Sequence, residues 1–100
     1  MDGQPVRFDE LRATVIECIR EIDATNPAPQ SIEWFLVRYL QRIVKRTEPP
    51  CRTSQVEGTM RALIRFYVDN VDGRSELGRA CLRIHETYRK TLRERQSGVA

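Results

Sequence analysis

Apolar residues recur at three- and four-residue steps in four separate stretches of this 100-residue chain, and no stretch sustains an apolar-polar alternation. That period belongs to amphipathic helices and leaves nothing to build a sheet from, so the chain reads as all-α. In the first stretch Phe8, Leu11, Val15, Cys18, Ile19 and Ile22 share a face, with Asp9 as the expected N-cap and Phe8 just outside it. Asn26-Pro27 ends it, because proline restricts the residue before it. Ser31 should cap a second helix carrying Ile32, Phe35, Leu36, Tyr39, Leu40, Ile43 and Val44, which stops before Pro49-Pro50. Ser54-Gln55-Val56-Glu57 has the form of a capping box for a third, with Val56, Met60, Leu63, Ile64 and Tyr67 as its core stripe. Turn residues at Asp69-Asn70 and Asp72-Gly73 follow, and Ser75 caps a fourth through Leu77, Cys81, Ile84, Tyr88 and Leu92. Short connections of this kind join antiparallel neighbours. The expected fold is a compact, mostly antiparallel four-helix bundle, one domain with helices at about 8–24, 31–47, 54–70 and 75–95 and short flexible ends at about 1–7 and 96–100.

A chain that is 40% apolar and 31% charged is composed like a globular protein, and this length suffices for one core without metal or disulfide support. No apolar run approaches the length of a membrane span, and the opening residues lack the basic and apolar parts of a signal peptide. The expectation is a cytoplasmic protein with no membrane association. Three cysteines, Cys18, Cys51 and Cys81, then read as free thiols. Cys81 and His85 share a helix face at a metal-ligand spacing, but without any Cys-x-x-Cys pair the expectation is no metal and no cofactor.

Where apolar side chains fall off the core stripes, a binding surface could lie. Projected at 100° per residue, Trp34 and Val37 point away from the stripe of the second helix, Phe66 flanks that of the third, and Leu82 faces away from that of the fourth. These four are the candidate protein-binding residues, since a desolvated tryptophan is a favoured anchor. A buried central helix pair or a homodimer would use the same residues.

The formal charge of +3 is unevenly spread: residues 1–50 sum to −1 and residues 51–100 to +4. Arg79, Arg83, Lys90 and Arg93, flanked by Arg89, fall opposite the apolar stripe of the last helix and form a candidate basic face, fit for an acidic protein or a nucleic-acid backbone. Residues 75–92 also resemble the helix-turn-helix pattern of bacterial regulators. Leu77, Gly78, Cys81, Tyr88 and Leu92 match its apolar and small positions, and the resemblance implies a DNA-reading helix beginning at Glu86 to Lys90. Leu82 stands at the pattern's turn glycine and Arg83 at a normally apolar position, while the apolar stripe runs through the supposed turn as one continuous helix would.

No nucleophile-base pair, phosphate-cradling glycine loop or adjacent carboxylate pair on one face suggests catalysis, so the chain is expected not to be an enzyme. The reading is a small intracellular interaction or regulatory protein that binds another protein, acidic in character, through an apolar patch with a basic rim. The alternative is a DNA-binding transcriptional regulator using residues 75–92.

Overall fold

A computed structural model describes residues 8–49 and 51–97, with residues 95–97 as backbone only. It contains α1 (Asp9–Asp23), α2 (Ile32–Arg46), α3 (Thr53–Asn70) and α4 (Glu76–Ser97), and no strand among the described residues. The expected flexible ends at 1–7 and 98–100 lie outside the described residues, whereas 96 and 97 belong to α4.

Two of the four expected caps form as the sequence predicts. Ser31 is extended at φ −74° and its Oγ accepts from the Trp34 amide at 3.2 Å, while Ser75 Oγ accepts from the Gly78 amide at 3.0 Å. The other two differ. Phe8, not Asp9, takes the N-cap position of α1, because its buried ring is stacked 6.1 Å from Tyr88 and fixes the chain there. Asp9 becomes the first helical residue, where its charge complements the helix dipole. At α3 the helix begins at Thr53, with extended Arg52 before it and no side-chain cap, so Ser54 is already inside and the capping box does not form. Glu57 instead pairs with Arg61 one turn on, at 3.5 Å.

Helix α1 packs on α2, α2 on α3, α3 on α4, and α4 closes back on α1, with the α3/α4 seam the least closely packed. The ring encloses Leu11, Val15 and Cys18 from α1, Leu36, Leu40 and Ile43 from α2, Val56, Met60 and Leu63 from α3, and Ile84 from α4, all essentially removed from water. Burial of these side chains, each worth about 1.5–3 kcal/mol by transfer, is what holds the bundle together. Thr47 is the buried polar exception, and its hydroxyl is satisfied by donating to the Ile43 carbonyl at 2.8 Å.

Helix α4 runs without interruption through residues 82–85, so the turn implied by the helix-turn-helix resemblance is not formed. The continuous stripe Cys81, Ile84, Tyr88, buried along its length, leaves no place for a break. Gly78 has a different role from the one the pattern gave it. A Cβ there would stand 2.8 Å from the Gly73 backbone, so the residue makes room for the α3–α4 connection to pass close over the helix.

Candidate functional site

The four surplus apolar residues do not assemble into one patch. Val37 is buried, because α1 and the connection after it cover that side of α2. Trp34 is half-buried beside it, in a shallow recess of about 200 Å³ with Asp23, Pro27 and Gln41. Its indole packs edge-on against Phe35 and carries the Arg38 guanidinium over its ring at 4.5 Å. Phe66 sits on another side of the bundle, its ring 4.8 Å from Tyr39 across the α2/α3 seam. Leu82 is 48% exposed and lies on the α3/α4 seam, at a recess of about 180 Å³ lined also by Ile64, Val68 and Cys81. His85 lines that same recess, among apolar neighbours.

The basic face of α4 is partly spoken for. Arg83 reaches α1, where Nη2 donates to Cys18 Sγ at 3.1 Å and lies 3.4 Å from Glu17 and 3.7 Å from Glu21. Lys90 pairs with Glu10 at 3.5 Å. These two residues therefore belong to the α1/α4 seam rather than to an open cationic surface, a correction to the helical projection. A stripe far from the core face looks solvent-facing on a wheel, yet its long side chains reach the flank of the neighbouring helix. Arg79 lines a recess with Glu21, Glu76 and Arg83, while Arg89 and Arg93 remain exposed.

A cationic surface that sequence reading missed lies on α2. Between Trp34 and Thr47 that helix carries Arg38, Arg42, Lys45 and Arg46 and no acid. Arg42, Lys45 and Arg46 line an open groove of about 680 Å³ between α2 and α3, whose far wall is Ser54, Gly58 and Thr59. No acidic residue lines it, and among the described residues no carboxylate pairs with these three cations. At its other end stand Tyr39 and Phe66, with Phe35, 40% exposed, one turn further along the same flank of α2. The signal was present as Phe35, Tyr39, Arg42 and Arg46 at steps of four, three and four, which place all four on one flank. Summing charge over half-chains hid it, since the acids of residues 1–50 are mostly on α1, and two of them face Arg83 while a third faces Lys90.

Two buried thiols, Cys18 on α1 and Cys81 on α4, are shifted by their surroundings. Burial raises the Cys18 thiol above its ordinary range, against the opposing pull of the Arg83 guanidinium, and burial pushes Cys81 up to about 12. Both are thus held as protonated thiols, poor nucleophiles and poor ligands. Cys51 is a half-buried thiol elsewhere. Among the described residues no group of three or more His, Cys, Asp or Glu side chains is placed to hold a metal ion, and no helix is long and apolar enough to cross a membrane. Compared with protein-family models, curated proteins and solved structures, the chain matches none.

Proposed function

We propose that this protein is a small non-catalytic interaction module that binds another protein through the α2/α3 face. One observation carries the reading: the acids of α1 neutralise Arg83 and Lys90 on α4, whereas Arg42, Lys45 and Arg46 face an open groove without a carboxylate partner among the described residues. Continuous with them are Phe35, Tyr39 and Phe66, so the surface is an apolar patch with a basic rim. Desolvating the aromatic end supplies affinity, and the cations steer and orient an acidic partner. The site differs in residues from the set that sequence projection selected, and keeps only Phe66 of it.

The test is affinity capture from lysate of the source cells, followed by binding measurements with the captured protein after purification. Arg42→Glu combined with Arg46→Glu should weaken binding at least tenfold, while Arg89→Glu with Arg93→Glu leaves it unchanged. Binding that ignores the first pair, or that disappears on nuclease treatment, overturns the proposal. The latter outcome would return the basic residues to nucleic acid.

A further inference from the structure

Gly58 stands inside α3, five residues from its start, and has no evident purpose within the chain. Glycine weakens a helix interior relative to alanine, and it is kept where backbone is crowded or φ is positive. Neither applies: a Cβ at Gly58 would meet nothing within 4 Å, and no glycine of the chain has positive φ among the described residues. The residue lines the α2/α3 groove directly across from the cations of α2.

We propose that the groove takes an acidic amphipathic α-helix from the partner protein, which rests on the α2/α3 face being the docking surface. Its apolar side lies on Phe35, Tyr39 and Phe66, its carboxylates meet Arg42, Lys45 and Arg46, and its backbone passes close over Gly58.

Charge complementarity argues for an acidic occupant. Shape argues for a helix. From Phe35 to Arg46 the surface runs about 16 Å along α2, three turns at roughly 1.5 Å per residue, the span of an occupant of about eleven to fifteen residues. Both walls are helices, so they offer no sheet edge for an extended peptide to add to as a strand. A nucleic acid would stack bases on open aromatic faces and meet cations along the whole path. Here Tyr39 and Phe66 pack against each other, Arg42 lies 5.6 Å from the Tyr39 ring centre, and the α3 wall of the groove, Ser54, Gln55, Gly58, Thr59 and Ala62, carries no cation. An axial separation of roughly 8–10 Å between packed helices brings a third helix near the wall of the groove, where a missing side chain allows the closest approach.

The experiment is a titration of the isotopically labelled full chain, followed by amide NMR, with a side-chain-stapled helical peptide of fifteen residues. The peptide carries leucines at i, i+3, i+7 and i+10 and glutamates along one flank. Three comparison probes are a scrambled peptide of the same composition, an unstructured oligoglutamate of equal charge, and a fifteen-nucleotide single-stranded DNA. The stapled peptide is expected to bind saturably, shifting amides of residues 35–46 and 55–66, at least tenfold more tightly than any other probe. Arg42→Glu with Arg46→Glu should weaken it at least tenfold, Phe35→Ala and Gly58→Leu at least threefold each, and Arg42→Lys with Arg46→Lys should restore most of the binding. Circular dichroism on each variant establishes that the bundle is intact. Equal binding of the scrambled peptide or oligoglutamate, or tighter binding of DNA, at those same amides overturns the helical occupant while leaving the face as a docking surface. Shifts confined to other faces, or no saturable binding of any probe, overturn the inference, and the capture experiment then decides the docking surface separately.

Discussion

Arg83 Nη2 of α4 lies 3.4 Å from Glu17 Oε1 of α1, and this pair, with Glu21 at 3.7 Å, decides which of the chain's cations are free for a partner. Lys90 and Glu10 repeat the arrangement two turns along, and the order of the pairs shows α1 and α4 running antiparallel. All these side chains are about half exposed or more, so each contact adds well under about 1 kcal/mol. Their stronger effect is on charge: Arg83 and Lys90 are neutralised by the acids of α1, while Arg42, Lys45 and Arg46 of α2 face no carboxylate among the described residues.

Reversing one member exposes the pairing. Arg83→Glu would set a third carboxylate beside Glu17 and Glu21 and next to the Cys18 thiol, and should lower unfolding stability by about 1 kcal/mol at low salt, less at 0.5 M salt. Adding Glu17→Lys and Glu21→Lys should recover most of the loss. Urea denaturation of the single and triple variants checks this, and a neutral Arg83→Glu at low salt would remove the seam from the account.

The two helical glycines predict opposite responses to alanine. Gly58→Ala should raise stability by about 0.5–1 kcal/mol, since the new methyl meets no atom within 4 Å and the unfolded chain loses freedom. Gly78→Ala should lower it by about 2 kcal/mol or more, because the methyl would press on the backbone of Gly73 at 2.8 Å and force the α3–α4 connection outward. Thermal melts of both variants beside the parent chain give the signs directly. A stabilising Gly78→Ala would mean that the connection does not pass over α4 as described.

Phe8 holds the start of α1 by its ring, with no side-chain hydrogen bond at the cap. It is 1% exposed and stacks on Tyr88 from α4, so Phe8→Ala should cost about 3–5 kcal/mol, and Phe8→Leu less than half as much. Because Phe8 joins the two ends of the fold, the Ala variant should also speed amide exchange in α4 near Tyr88. Loss of stability without that exchange effect would place the contribution of Phe8 in α1 alone.

The helices were legible because a periodic apolar stripe is a property of each segment by itself, and Ser31 and Ser75 announced their starts for the same reason. What failed depended on neighbours. Phe8 displaced Asp9 from the cap because a ring on a distant helix fixed it, and α3 began at Thr53 although Ser54 and Glu57 had capping-box spacing. The candidate site suffered most. A helical wheel gives the direction of Val37, Arg83 and Lys90 but not which direction another helix covers, and that alone buried the first and paired the other two. Phe35, Tyr39, Arg42 and Arg46 were on one flank in the sequence all along. Nothing in the spacing marked that flank as an open groove until α3 was in place beside it.

Cys81 ties the core to pH. Its thiol is 4% exposed, and desolvation, with a smaller contribution from Cys18, moves it from 9.0 to about 12. At neutral pH the thiol is protonated whether the chain is folded or not, so it contributes no pH dependence there. Above about pH 9 the unfolded chain releases this proton and the folded chain keeps it, so the unfolded state binds fewer protons and stability falls as pH rises. The slope approaches about 1.4 kcal/mol per pH unit for one thiol and flattens as pH nears the folded value of about 12. Cys18 and Tyr88, both raised first by burial, act in the same direction. Urea denaturation under reducing conditions from pH 7.5 to 10.5 should therefore show a declining midpoint for the parent chain and a shallower decline for Cys81→Ala. Subtracting the two curves removes the lysines, tyrosines and other thiols common to both. Parallel curves would mean that Cys81 ionises as readily in the folded chain as in the unfolded one, and that the α3/α4 recess it borders admits water to it.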